Sequence, residues 1–435
     1  MPGRFFGLRE AGTTVGTELI AGSVTFMTMA YIVFVNPGIL AAAGIPREAA
    51  MVATCIAAGG VTLLMGLFAN RPIALAPGMG LNAFLAFTIV GQMKFPWQVA
   101  MAVVLVEGAL ITVLVLTHVR EQVMNAIPMG LKRAIAIGIG FFIAFLGLQS
   151  AGLVVHSPDT LVTFGHLTRP VMVSLTGLVL TAVLMLRRQK GAILIGILAT
   201  TLLALALGLT RAPDRLLALP ELAHFVTFGA ALRPEALLAA VKPALWATLF
   251  AFLMTDFFDT MGSVVAIAGE GKFLDPQGRI PHLNRILLVD SLGALFGGVC
   301  GCSSVTTYIE SASGVGEGGR TGLTSVFTAL WFFLAVFLWP LVAVIPAAAT
   351  APALILVGLL LMGEIGHIDW HDFGEAFPAF LTIMTIPLTG SISRGIGFGV
   401  IASVLIRLFG GRRREIQPVM WLLALVFALD FWITR

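Results

Sequence analysis

Charged residues are scarce in this chain. Of its 435 residues only 11% are Asp, Glu, Lys or Arg, against 58% hydrophobic, whereas an ordinary soluble domain carries about 25% charged residues. So little charge excludes a globule coated with solvated side chains, and a mean hydropathy of +1.00 points to a polytopic membrane protein. At ~20 residues per spanning helix the chain has room for about 18 to 20 spans at most, and its apolar runs use most of that length, leaving no sizeable soluble domain. The three cysteines, Cys55, Cys300 and Cys302, are too few for a secreted disulfide framework and sit in apolar or glycine-rich surroundings, so they read as buried thiols. No His lies near Cys300 and Cys302, which argues against a metal site. The net charge is only +4 and the basic residues fall in short clusters between apolar runs, which excludes a nucleic-acid-binding face. The first apolar stretch, from about Thr13 to Val35, is too long for a signal-peptide core, lacks an obvious cleavage box and precedes many more spans, so it reads as the first transmembrane helix.

What is abundant is apolar sequence in discrete runs. Twelve of these lie near 14–35, 49–69, 98–118, 132–149, 170–186, 191–209, 240–266, 284–300, 321–345, 350–363, 375–389 and 393–409, each bounded by Pro, Gly or charge. Two further segments are broken. One carries Pro72, Pro77, Gly78 and Gly80 within a short apolar stretch, which cannot continue as one α-helix. The other, from Cys302 to Gly319, is too polar and β-branched to face lipid as a helix. Each predicts a short extended stretch followed by a half-helix. They are the third and tenth of fourteen segments, the placement expected of two repeats of seven with a transport site where the broken helices meet. Seven is odd, so the second repeat enters the membrane from the opposite side and the repeats are inverted. The expected organisation is a first repeat over 1–209, a linker over 210–239 containing Pro213, Pro220 and Pro234, a second repeat over 240–410 and a tail over 411–435. The linker reads as a surface amphipathic piece.

Charge placement supports an N-terminus inside. On that orientation the cytoplasmic connections hold most of the basic residues, including Arg4, Arg9, Arg71, Arg120, Lys132, Arg133, Arg187, Arg188, Lys190, Lys272, Arg279, Arg285, Arg320 and Arg412 to Arg414, and the external ones hold fewer, half of them in the linker. One connection is instead acidic, with Glu364, Asp369, Asp372 and Glu375. The last apolar stretch, Val419 to Ile433, contains Asp430 and is either a further span or a helix lying at the interface.

Ionisable groups within spans are costly and mark function by default. Asp256 and Asp259, three residues apart in the first helix of the second repeat, share one helical face. Against lipid each would cost about 3 kcal/mol, so they should face a cavity, although Asp259 also suits a role in bonding the ends of the neighbouring broken segment. Glu310 follows Thr306 and Thr307 in the second broken segment, where Thr307-Tyr308-Ile309-Glu310 equally fits a helix-capping box. Asn82 holds the matching place in the first broken segment and offers both donors and an acceptor, or else a cap. Glu18, Glu107 and Asp290 read as packing or gating groups, and the glycines at 293, 297 and 301 as a close-packing helix face. Carboxylates suit an N–H-rich or cationic solute or a bound proton, and two acids with an amide suit a flat heterocycle with ring N–H donors, on which Phe84, Phe257, Phe258 and Tyr308 are available to stack, although any one of these rings equally suits a lipid-facing place. An anion carrier should place a basic residue here, and none is near in sequence.

Several stretches together resemble one family. Phe5-Phe6-Gly-Leu, Glu18-Leu-Ile-Ala-Gly-Ser-Val-Thr-Phe-Met-Thr-Met-Ala-Tyr-Ile, Ala76-Pro-Gly-Met-Gly-Leu-Asn82-Ala-Phe, Asp256-Phe-Phe-Asp259-Thr-Met-Gly and Thr306-Thr-Tyr-Ile-Glu310-Ser-Ala-Ser-Gly-Val look like the azaguanine-type (AzgA-like) hypoxanthine/adenine/guanine permeases of the nucleobase:cation symporter-2 superfamily. The likeness runs nearly end to end. It implies an all-α polytopic fold of fourteen segments in two inverted repeats, with segments 1–4 and 8–11 as a core domain and 5–7 and 12–14 as a gate domain. It further implies proton-coupled uptake of purine bases across the cytoplasmic membrane, no cofactor beyond the coupling proton, lipid as the surroundings and a homodimer as one admissible assembly. By motif position Asp256 and Glu310 resemble the purine-binding acids, Asn82 the facing polar contact and Asp259 a residue of transport and proton coupling. Backbone around Ala76 and from Val305 through Thr306 to Thr307 is expected to line the same pocket. The rivals are a uracil/xanthine or anion carrier of the same fold and an intramembrane hydrolase using the acid pair, the latter disfavoured by the absence of HExxH and GxSxG motifs.

Overall fold

A computed structural model describes residues 5–117, 127–213, 215–271, 273, 280 and 282–433. Arg4, Arg120, Lys272 and Arg279, used above for orientation, lie outside the described residues, as do the side chains of Phe258 and Asp430. The chain is a bundle of helices. Among the described residues ten helices are long and apolar enough to cross a membrane, and shorter apolar helices lie over Met79–Gln92, Ala192–Ala206, Phe373–Thr389 and Pro418–Leu429.

In the first half the helices are α1 (Val15–Met29), α2 (Ile32–Ala41), α3 (Arg47–Leu64), α4 (Met79–Ala83), α5 (Trp97–Leu116), α6 (Met129–Ser150), α7 (Arg169–Leu186) and α8 (Ala192–Ala206). After α9 (Pro234–Ala240) come α10 (Trp246–Glu270), α11 (Leu283–Cys300), α12 (Ser311–Gly316), α13 (Gly322–Ala335), α14 (Ala347–Leu361), α15 (Phe373–Thr389), α16 (Ile392–Phe409) and α17 (Pro418–Ile433). Proline starts several of them. Pro46, Pro96, Pro128 and Pro346 cap α3, α5, α6 and α14, where a missing N–H costs nothing because the first helical donors have no partner in the helix anyway.

Both broken segments contain the extended stretch expected of them. β1 (Leu75–Pro77) precedes α4, which continues in a wider π-helical winding over Phe84–Gln92, and β4 (Val305–Thr307) precedes α12. The two strands pair antiparallel, Leu75 opposite Thr307, Ala76 opposite Thr306 and Pro77 opposite Val305. All six residues are buried, which is the condition under which irregular backbone persists at membrane depth. Two glycines of α11 admit the ladder: a Cβ on Gly293 would come within 2.6 Å of the Val305 carbonyl oxygen, and one on Gly297 would overlap that of Ser303. The small-residue face of α11 thus receives a strand. Gly301 ends α11 at φ +77°, a left-handed conformation that glycine adopts without a Cβ penalty.

Three features differ from the expectation. The first span does not stop before Asn36-Pro37: it breaks at Ala30 and Tyr31 and resumes as α2 through to Ala41. The linker is no simple surface piece, because Thr227, Ala230 and Ala231 are buried and the Gly229 N–H donates to the Val299 carbonyl at 2.8 Å. The connection between α6 and α7 forms an exposed hairpin of β2 (Val154–Ser157) and β3 (Leu161–Phe164). The tail helix α17 docks against its neighbours with Phe427 fully buried, its ring 6.0 Å from that of Phe250 in α10.

Candidate functional site

The β1–β4 ladder is where the predicted residues converge, because the half-helices α4 and α12 both start from it and α10 packs against α4, β4 and α12. Asp256 is 1% exposed, and the Ser304 hydroxyl donates to its Oδ1 at 3.3 Å. Asp259, one turn further along α10, is part-buried, with Oδ2 3.5 Å from where a Cβ on Gly78 would stand. Glu310 precedes the first residue of α12 and does not cap it. Its Oε1 instead accepts from the Tyr31 hydroxyl at 2.5 Å, so the capping-box alternative is not the arrangement adopted. Asn82 sits inside α4 and is wholly buried. Its Nδ2 donates to Asn36 Oδ1 at 2.6 Å, and its Oδ1 meets no donor among the described residues.

The ladder is held from outside by a second set of polar groups. Asp290 in α11 accepts from the Thr307 N–H at 3.1 Å and the Thr306 hydroxyl at 3.3 Å on Oδ1, and from the Thr260 hydroxyl at 2.7 Å on Oδ2. The Thr260 and Thr306 hydroxyls are 2.9 Å apart, and the Thr307 hydroxyl donates to the Thr260 carbonyl. On the β1 side Thr62 both donates to the Leu75 carbonyl and accepts from its N–H, and the Tyr308 hydroxyl donates to the Pro77 carbonyl at 2.6 Å. Much of the backbone around Ala76 and Val305 to Thr307 therefore has protein partners, and the ladder serves first as a rigid frame for the side chains around it.

Glu18 and Asp290, read from sequence as packing or gating groups, both hold neighbouring elements through hydrogen bonds. Glu18 accepts from the Arg320, Thr321 and Thr324 N–H groups and from both threonine hydroxyls, closing the N-terminus of α13. Glu107 is buried within α5. Tyr31, Asn36, Ser304 and Thr260 were not singled out from sequence. Rarity was an available signal, since the chain has only two tyrosines and both, Tyr31 and Tyr308, bond to this site.

A cluster of buried and part-buried carboxylates with a buried amide, beside the half-helices α4 and α12, can bind a small polar solute. A model of the Permease family (Xan_ur_permease) matches residues 16–398. The chain belongs to this family. It is a permease, a transporter and not an enzyme. This permease is 40% identical over 427 residues to the adenine permease AdeP of Escherichia coli, covering 98% of this chain and 95% of that one. It is 41% identical over 440 residues to the guanine/hypoxanthine permease PbuO of Bacillus subtilis, covering 98% and 100%. Its fold is like that of the transmembrane domain of the cyanobacterial bicarbonate transporter BicA, with a TM-score of 0.63 at 15% identity over 89% of this chain and 97% of that one.

Proposed function

We propose that this permease takes up purine nucleobases, adenine, guanine or hypoxanthine, by alternating access. The observation that carries the reading is the convergence of Asp256, Glu310 and Asn82 on one buried frame, in a chain whose relatives include adenine and guanine/hypoxanthine permeases. Two carboxylates and an amide oxygen form an acceptor-rich wall, which complements the ring and exocyclic N–H groups of a purine. Asp256, Glu310 and Asn82 hold the base, Ala76 and Val305, Thr306 and Thr307 line the site, and Asp259 couples transport to a proton. Protonation from outside favours base binding, and movement of one domain against the other releases both inside. With one proton per base, a membrane potential supplies ~2.3 kcal/mol per charge per 100 mV, enough for roughly fifty-fold accumulation.

The finer architecture belongs to the same reading. Fourteen segments in two inverted repeats, 1–209 and 240–410, are supported by the matched sequence of strand then half-helix in each half and by the antiparallel pairing of the two strands. Segments 1–4 and 8–11 form the core and 5–7 and 12–14 the gate, in the cytoplasmic membrane with the N-terminus inside, as a monomer or homodimer. A uracil/xanthine or anion carrier is the rival within this fold. The test is uptake of labelled adenine, guanine and hypoxanthine into cells lacking their own purine permeases, with unlabelled uracil, xanthine and bicarbonate as competitors. Saturable uptake of a purine, displaced by purines and not by the others, supports the proposal. Absence of purine uptake with uptake of another solute overturns it.

A further inference from the structure

The amide of Asn82 can present either its oxygen or its nitrogen, and the choice is made elsewhere in the protein. The chain of constraint starts at two backbone carbonyls, which can only accept. The Ala50 carbonyl lies 2.6 Å from Thr54 Oγ1, so the Thr54 hydroxyl hydrogen is directed to it. Thr54 then has only lone pairs for Asn36, 2.8 Å away, and the atom facing it must be Nδ2. The Cys302 carbonyl lies 3.2 Å from the same nitrogen and makes the same demand. Both hydrogens of Asn36 Nδ2 are thereby engaged and its Oδ1 is turned to Asn82. An acceptor at 2.6 Å requires the Asn82 nitrogen, which leaves the buried Asn82 Oδ1 as the atom without a donor among the described residues. Four elements supply this relay: α3, α2, α4 and the turn after α11.

We infer that Asn36, held by Thr54 and the Cys302 carbonyl, is a specificity-determining positioning residue that locks Asn82 with its amide oxygen toward the ligand, so that the site demands an N–H of the base at that point. The inference rests on the reading of Asn82 as part of the nucleobase site and specifies what that contact selects. A ring nitrogen presenting a lone pair, or an N-methyl group, meets the Asn82 oxygen unfavourably. Rotating the Asn82 amide to accommodate it would set two acceptor oxygens against each other in a buried place, a state disfavoured by roughly tenfold or more.

The experiment uses the full-length permease and measures competition constants for hypoxanthine and adenine against derivatives methylated at one nitrogen at a time. The position read by Asn82 is the one at which Asn82→Ala abolishes the methylation penalty. In Asn36→Leu the penalty at that nitrogen alone should fall by roughly three- to tenfold, and in Thr54→Val, where the Cys302 carbonyl still holds the Asn36 nitrogen, by roughly two- to threefold, with maximal uptake and the penalties at other nitrogens near wild type, while Thr54→Ser keeps the wild-type profile. Thr54→Val removes a single hydroxyl and carries the test if Asn36→Leu does not reach the membrane. Purine uptake with unchanged penalties at every nitrogen in both variants, or an equal loss at all of them, overturns this inference alone. A wild-type protein that imports no purine overturns the nucleobase reading and this inference with it.

Discussion

The fixing of β4 by Asp290 gives a prediction that separates a scaffolding carboxylate from a transporting one. Asp290 accepts from β4 through the Thr306 hydroxyl and the Thr307 N–H, and from the Thr260 hydroxyl. In Asp290→Ala those three buried donors lose their acceptor. At about 1–3 kcal/mol for each buried donor left unmade, with partial relaxation, the loss should be about 3–5 kcal/mol. Asp290→Asn is different, because the retained oxygen still serves Thr306 and Thr307. The new amino group can donate to Thr260, whose own hydroxyl hydrogen can turn to Thr306 Oγ1, 2.9 Å away. The net cost should be about 1 kcal/mol. The assay is the detergent-solubilised melting temperature beside the uptake rate per molecule at the membrane. Asp290→Ala should melt far lower and transport poorly, and Asp290→Asn should keep most of both. A stable Asp290→Asn protein without uptake would show that the charge itself is needed for transport, and wild-type stability of Asp290→Ala would refute the scaffold argument.

Gly293→Ala places a Cβ 2.6 Å from the Val305 carbonyl oxygen and should cost about 1–3 kcal/mol by displacing β4. The matching change at Gly363, where a Cβ meets nothing within 4 Å, should be close to neutral, as a paired thermal-stability measurement will show. Tyr31→Phe removes the hydroxyl that Glu310 accepts from at 2.5 Å, and should raise the KM for the base roughly tenfold, since hydrogen bonds to charged groups contribute about 1.5–3 kcal/mol. An unchanged KM would remove Tyr31 from the site. At the start of α15, hydrogen bonds from Arg412 and from the Gly374 N–H hold the Asp372 carboxyl below its usual range. A carboxyl depressed in the folded state contributes stability above its ordinary pKa of about 3.9 and loses it as pH falls through the lowered value. The melting temperature of Asp372→Asn should therefore lie slightly below wild type at pH 7 and converge with it at the acid end. A gap that persists under acid conditions would contradict the assignment.

How much was legible beforehand follows from which forces are local. The two broken segments were readable because Pro72, Pro77, Gly78 and Gly80 crowd one short stretch and the run from Cys302 to Gly319 is polar and β-branched, so neither can continue as one unbroken helix. The intramembrane carboxylates were readable because the cost of burying charge needs no knowledge of tertiary contacts. Tyr31 and Asn36 were not, because each derives its role from a partner far away in sequence, Glu310 for one and the Cys302 carbonyl for the other. Asn36-Pro37 read as a span end, yet Pro37 sits within α2. The glycine face of α11 was visible, but its partner is a strand that only the crossing of the two broken segments brings there. The exposed β2–β3 hairpin leaves little trace in the sequence because its short runs carry a weak pattern beside the strong apolar periodicity of the helices on either side.

The central claim, that Asp256 and Glu310 bind a purine base, is tested most directly by counterflow of labelled hypoxanthine or adenine in vesicles containing only the purified protein. The wild-type protein should exchange internal for external purine with saturation, and Asp256→Ala and Glu310→Ala, reconstituted in equal amounts, should lose that exchange. Normal exchange by either variant would contradict the account.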